Sequence, residues 1–291
     1  MPEAILPEKR AVRRAFERAA EGYERSAALQ REVGARLLAH LDPMRVAPAR
    51  LLDLGSGPGA FFEPLAKRFA DAEIVAIDLA FNMLRVAQRR TPWWRRALLT
   101  RAPRLICADA ERLPLRGGSA QLVFSNLALQ WCAPAAVFAE CARVLETGGL
   151  MLFSTFGPDT LKELRDAFAM VDAGAHVNSF VDMHDLGDGL VQAGFADPVM
   201  EMEMLTLEYA SVEAIARELK AIGGHNALPG RARGLAGRHR WARMVEHYER
   251  LRREGSLPAT FEVIYGHAWK GAPRRAPDGR QVVDFHPPFA R

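Results

Sequence analysis

Residues 51–61, LLDLGSGPGAF, join a short apolar run to a glycine-rich loop. Asp53 closes the apolar run, and Gly55, Gly57 and Gly59 alternate behind it, with Ser56 between the first two. Glycine tolerates positive φ and lets a ligand lie against bare backbone, with the N-terminus of the following helix facing it. The spacing is G-x-G-x-G, whereas a dinucleotide loop is G-x-G-x-x-G, with its third glycine one residue further on. Taken alone, the loop is either a seat for a nucleoside-like ligand or simply a tight turn.

Other polar residues stand where such a ligand would need them. Asp78 ends the next apolar segment, IVAID, where a carboxylate can accept hydrogen bonds from a ribose diol or cap the helix at 82. Asp109, in CADAERLPL, ends a third segment, where its carboxylate and the Ala110 N–H can meet the edge of a base. SNLALQW, residues 125–131, carries Asn126 and Trp131 out of a fourth segment. The eight histidines are scattered, with no H-E-x-x-H and no Ser–His–Asp order, so no general base stands out. Cys107, Cys132 and Cys141 lack C-x-x-C spacing, which argues against a zinc site and a disulfide framework.

The elements that position these residues alternate. Strands are predicted at 51–55, 74–78, 104–109, 122–126 and 150–156, with helices at 60–70, 82–90 and 134–146 between them. Such β and α repeats imply a doubly wound α/β fold, a mostly parallel sheet covered on both faces. In open sheets of this kind ligands bind beyond the strands' carboxyl ends, where all the candidate residues fall. Residues 1–42 read as an N-terminal helical segment, and a further helix starts near Asp159. Two late strands, 199–209 and 259–269, bracket a helical stretch, so that residues 210–257 are expected to be a cap inserted into the domain formed by 43–209 and 258–270. The tail, 271–291, is rich in proline and arginine and reads as loosely held.

Composition narrows the class. With 49% hydrophobic and 25% charged residues the chain is globular in character, so disorder is not the default. No apolar run approaches the ~20 residues of a membrane span, and the N-terminus has no signal-peptide core. A cytoplasmic protein with reduced thiols is expected. The formal charge of +4 is concentrated in arginine-rich stretches at 85–104, which includes PWWRR, and at 231–253. Such stretches are either docking surfaces for an acidic partner or solvated faces.

The ordered set DLGSGPG, AIDLAFNML, CADAERLPL, SNLALQW and RVLETGG resembles the motif series of class I S-adenosylmethionine-dependent methyltransferases. The resemblance implies a seven-stranded Rossmann-like sheet and S-adenosylmethionine as cofactor. Asp53, Gly55, Ser56, Gly57, Gly59, Asp78, Leu79, Met83, Asp109, Ala110 and Asn126 would hold it, with no metal. More narrowly, FERAAEGYERSAALQREVGARLL, SNLALQWC, STFGPDTLKELR and LKAIGGHN followed by PATFEVIYGHAW resemble the malonyl-acyl-carrier-protein O-methyltransferase family of biotin synthesis.

That narrower likeness implies methylation of the free carboxylate of a malonyl thioester borne by an acidic acyl carrier protein. A carboxylate of pKa roughly 4 is already ionised at neutral pH, so the missing general base fits. Lys162, Arg165 and Lys220 are then candidates to hold the carboxylate, with Arg165 and Lys220 preferred, and Tyr23 and Trp131 are candidates to close the pocket. FGPDTLKELR, DMHDLGDGLVQAGF and PATFEVIYGHAWK also resemble an arginine-hydroxylating assembly factor of respiratory complex I, which keeps a methyltransferase fold. A small-molecule methyltransferase of quinone type is a further alternative. Nucleic acid and membrane are not expected partners, since no N-P-P-[YF]-like tetrapeptide accompanies the arginines.

Overall fold

A computed structural model of the chain describes residues 6–90, 102–224, 226–228 and 237–272. PWWRR, part of both arginine-rich stretches and nearly all of the tail lie outside the described residues.

Seven strands form one sheet in the order β3-β2-β1-β4-β5-β7-β6. They are β1 (Arg50–Leu54), β2 (Glu73–Asp78), β3 (Arg104–Cys107), β4 (Ala120–Asn126), β5 (Leu145–Phe156), β6 (Phe195–Tyr209) and β7 (Leu257–Lys270). The first five pair in parallel, and β7 enters antiparallel to β5, with Ser154 opposite Tyr265, and to β6. Strand order reverses between β1 and β4, so the chain leaves these two neighbours in opposite directions and a crevice opens beyond their carboxyl ends. This is the expected doubly wound α/β sheet.

Both faces are buried, as continuous apolar strands require. On one face Phe138 and Cys141 of α6 (Pro134–Val144) and Leu186 and Leu190 of α8 (Met183–Gln192) pack against β4, β5 and β7. On the other, Val33 and Leu37 of α3 (Ala28–Ala39) pack with Tyr248 of α10 (Arg238–Glu249). Between these come α4 (Phe62–Arg68), α5 (Phe81–Arg90), α7 (Lys162–Ala169) and α9 (Val212–Ala221). Helices α9 and α10 lie between β6 and β7 in the chain; Tyr248 of α10 is fully buried and its hydroxyl donates to the Pro258 carbonyl at 2.7 Å.

Several boundaries differ from expectation. The N-terminal helix is three pieces, α1 (Lys9–Ala19), α2 (Tyr23–Ser26) and α3, because the chain breaks at Gly22 and again at Ala27, whose ψ of 39° is non-helical. Helix α7 begins three residues beyond Asp159, since Leu161 takes a left-handed φ of 54° and its N–H bonds the Thr260 carbonyl at 2.6 Å. Helix α8 escaped the sequence reading because its two glycines, Gly187 and Gly189, blunt the helical pattern. Asp182 caps it through the His184 N–H.

Candidate active site

The glycine loop crosses the crevice at the end of β1. Gly55, Gly57 and Gly59 all have positive φ, at 74°, 52° and 80°. A side chain at Gly55 would strike the Ala128 Cβ at 2.3 Å, whereas one at Gly57 would meet nothing within 4 Å. The first glycine is therefore required by packing, and the second leaves open space where a ligand can approach. Asp78 fixes the loop: it accepts the Gly57 N–H at 2.9 Å and the Ala80 N–H at 2.8 Å. One carboxylate thus ties the glycine loop to the turn before α5, and its remaining lone pairs are still able to accept.

Two cavities meet above this loop. The smaller is lined by Asp53, Gly55, Ser56, Gly57 and Asn126 from the strand ends and by Tyr23, Gln30 and Arg31 from α2 and α3. The larger is mainly apolar, lined by residues including Phe16, Trp131, Phe156 and Leu219, with His176 and Asn178 among its polar groups. Tyr23 and Gln30 line both. They reach this junction because the chain breaks at Gly22 and Ala27, and because the Asn126 amide donates to the Gln30 carbonyl at 2.8 Å. Asn126 is itself held by the Ser154 hydroxyl, which donates to its Oδ1 at 2.8 Å.

The electrostatics of the smaller cavity favour a cation. Asp53 is 3% exposed, and burial, reinforced by Asp78, pushes its pKa up to about 7. Burial likewise raises Asp78 to about 6, although the N–H bonds from Ala80 and Gly57 oppose the rise. Three buried side-chain oxygens have no partner among the described residues: Gln30 Oε1, Asp53 Oδ2 and Ser56 Oγ, all three on residues lining this cavity. A buried unsatisfied acceptor costs about 1–3 kcal/mol, so three around one cavity describe a site shaped for a ligand bearing donors and positive charge.

Helix α1 closes the site from above. Lys9 Nζ reaches Asp109 at 2.7 Å, Glu111 at 2.9 Å and the Cys132 sulfur at 3.5 Å. Burial works against its charge, but Cys132, Asp109 and Glu111 together hold the ammonium above its ordinary pKa. Glu17 accepts the Phe81 and Asn82 N–H groups, both at 2.9 Å, and so caps α5 from a different helix. Phe16 packs edge-on against Trp131, with ring centroids 5.3 Å apart.

Most of the residues picked from sequence gather here. Asp53, Gly55, Ser56, Gly57, Asn126 and Tyr23 line the smaller cavity, and Tyr23 and Trp131 the larger. Gly59 and Asp78 shape the loop, whereas Leu79, Met83, Asp109 and Ala110 lie outside both linings, Asp109 held by Lys9 and Met83 packed with Ala19, Ala20 and Ala80. The three anticipated cations are placed otherwise. Arg165 spends its guanidinium on the Pro158 and Thr160 carbonyls, at 2.6 and 3.0 Å, because these follow the turn at the end of β5. Lys220 is exposed on the outer face of α9, whose inner face turns Leu219 and Ile222 into the cavity, and Lys162 pairs with Asp159 at 3.2 Å. None of the three lines the cavity.

Known proteins place this arrangement. The family described as methyltransferase domain matches residues 52–153. The chain is 53% identical to the malonyl-[acyl-carrier protein] O-methyltransferase of Gallionella capsiferriformans over 97% of its own length and 98% of the relative's. It is 54% identical to the protein of the same name from Laribacter hongkongensis, over 99% of each chain. The chain belongs to the malonyl-[acyl-carrier protein] O-methyltransferase family. Its fold is also that of a Haemonchus contortus phosphoethanolamine N-methyltransferase solved with S-adenosyl-L-methionine (TM-score 0.53, 17% identity, 88% of this chain and 57% of that one).

Within this family member the residues missed from sequence are Lys9, Phe16, Glu17, Gln30, Arg31 and His176. Gln30 carried a usable signal: it interrupts the stripe Ala27, Gly34, Leu37, all buried, with a polar group at helical spacing. Among the described residues no group of three metal-ligating side chains occurs, and no helix is long and apolar enough to cross a membrane.

Proposed function

We propose that this chain methylates the free carboxylate of a malonyl thioester carried on an acyl carrier protein, an early step toward the pimeloyl chain of biotin. S-adenosylmethionine supplies a sulfonium-activated methyl group that a carboxylate oxygen takes in a single displacement. The observation that carries the reading is the meeting of two unlike cavities at Tyr23 and Gln30, in a chain whose relatives of that name match it end to end.

The smaller cavity fits the cofactor's amino-acid end. Asp53 Oδ2 and Ser56 Oγ would accept from its ammonium and Arg31 would face its carboxylate, and burial, which raises the pKa values of Asp53 and Asp78, makes a cationic partner favourable beside them. Asp78, Leu79, Met83, Asp109 and Ala110, which follow the ends of β2 and β3, would hold the adenosine. The apolar walls of the larger cavity exclude water and strip the malonyl carboxylate, which strengthens its attack. His176 takes the anchoring role foreseen for Arg165 or Lys220. Its ring stacks on Phe168 with centroids 3.9 Å apart, and its Nε2 lies 2.8 Å from Asp172, which pairs with Arg240.

No base is needed, and the described lining contains neither lysine nor arginine apart from Arg31. Alignment of oxygen, methyl carbon and sulfur supplies the acceleration, worth as much as ~7–11 kcal/mol. The three free thiols agree with a cytoplasmic enzyme.

Mass spectrometry of the product from purified protein, S-adenosylmethionine and malonyl-carrier protein tests this. A mass gain of one methyl is expected, and fragmentation that places it on the free carboxylate end of the malonyl group identifies an ester. Cofactor binding without any ester would overturn the substrate assignment and favour a small-molecule methyltransferase.

A further inference from the structure

The N-terminal helical segment carries both basic and acidic residues, and the fold sorts them. Of the acids nearby, Glu17 caps α5, Glu21 pairs with Arg89, and Glu24 pairs with Arg90. Arg10, Arg14 and Arg18, spaced four apart on one face of α1, are exposed and have no side-chain partner among the described residues. Like charges at this spacing repel, and α1 has no acid in its first turn to balance its dipole. The stripe therefore costs the isolated protein stability.

A second set of free cations adjoins it. Arg217 and Lys220 on α9 are exposed and likewise have no side-chain partner, while Glu218 of the same helix accepts from the Tyr209 hydroxyl at 3.0 Å. The C-terminal end of α9 abuts α1: a side chain at Gly223 would lie 3.1 Å from the Phe16 ring and 3.5 Å from the Ala15 carbonyl carbon. The Glu8 N–H also bonds the Ala227 carbonyl at 2.7 Å. Beneath this seam Phe16, Leu219, Ile222 and Gly224 line the larger cavity.

The arginine-rich stretches singled out from sequence are less available. Their described members are largely engaged internally, Arg104 with Glu73, Arg240 with Asp172, Arg250 with Glu246 and Arg252 with Glu249.

We propose that the α1–α9 seam is the docking face for the carrier protein, with Arg10, Arg14, Arg18, Arg217 and Lys220 meeting its acidic surface and the phosphate of its acyl-bearing arm, which enters the cavity beside Phe16. This rests on the malonyl-carrier reading of the site. Docking of opposite charges accelerates encounter and weakens as salt rises.

The test is steady-state methylation of malonyl-carrier protein by the wild type and by the triple variant Arg10→Glu, Arg14→Glu, Arg18→Glu, at about 50 and about 300 mM salt. The variant should raise KM for the carrier by roughly tenfold or more at low salt and lose most of the salt dependence. Its S-adenosylmethionine affinity by calorimetry should stay near that of the wild type. If that affinity falls, the single variants Arg14→Glu and Lys220→Glu replace it. A wild-type KM in variants that bind cofactor normally overturns the docking face. A wild type that binds cofactor and makes no ester overturns the substrate reading instead.

Discussion

Lys9 Nζ lies 2.7 Å from the Asp109 carboxylate across a separation of a hundred residues, and so ties the N-terminal helix to the loop after β3. Both side chains are about one-third exposed, at 29% and 32%, and Glu111 and Cys132 share the same ammonium. A double-mutant cycle of Lys9→Ala and Asp109→Ala, followed by urea unfolding, should give a coupling of about 1 kcal/mol. Lys9→Ala alone should also weaken cofactor binding, because α1 then frays from the site it covers. Zero coupling would mean that the latch does not form in solution.

The raised carboxylates make cofactor affinity depend on pH. Asp53 titrates near 7 and Asp78 near 6, both above an unfolded aspartate at about 4. Such groups stabilise the free protein fully below pH ~4, and that contribution is lost as pH rises through 6 and 7. A cationic ligand favours the ionised forms, so S-adenosylmethionine should bind more tightly, and raise Tm more, at about pH 7.5 than at about pH 5.5. Asp53→Asn should flatten the profile. A dissociation constant that is already flat in the wild type would rule out these carboxylates as the ligand's partners.

Two glycines of one loop should respond differently. Gly55→Ala drives a Cβ to 2.3 Å from Ala128, where only backbone movement gives relief, and should cost about 2–4 kcal/mol once left-handed strain is included. Gly57→Ala meets no atom and should cost only about 1–2 kcal/mol in stability, yet its methyl projects where the ligand must lie. Chemical denaturation and calorimetry separate the two effects. A folded Gly57→Ala protein with wild-type cofactor affinity would remove this loop from the binding site.

The sequence made the strand ends legible because a parallel sheet places every strand's carboxyl end on one side. Asp53, Asp78 and Asn126 needed only their position in the β–α alternation to be found. Gly22 and Ala27 were harder to read, since a break inside a helical pattern is set by packing, here by α2 and α3 turning Tyr23 and Gln30 inward. Lys9 and Glu17 were unreadable as site residues, because their partners are a hundred and some sixty-five residues away and no local pattern encodes that pairing. Arg165 and Lys220 lie outside both cavity linings for a related reason: spacing locates a residue on a helix, but the neighbours of that helix decide which face looks inward.

His176 lines the larger cavity and is the residue proposed in their place. Its ring is fixed on one side by Phe168 and on the other by Asp172. His176→Ala should raise KM for malonyl-carrier protein by about tenfold while leaving cofactor affinity unchanged, and His176→Gln should recover part of the loss through a neutral donor. An unaltered KM in both variants would leave the carboxylate to the neutral amides of the cavity.

Gln30 offers the sharpest separation of stability from function. Its Oε1 is buried without a partner among the described residues, at the junction of the two cavities, and a half-turn of the amide would present Nε2 as a donor instead. If the amide orients the malonyl carboxylate against the methyl carbon, Gln30→Leu removes an unsatisfied polar group and an aligning contact together. Stability should then be unchanged or rise by up to ~1 kcal/mol, while kcat falls about 10- to 100-fold. A purely structural residue would show the reverse, a lower Tm with kcat intact. Retention of both would mean that the orphaned oxygen has no part in the reaction.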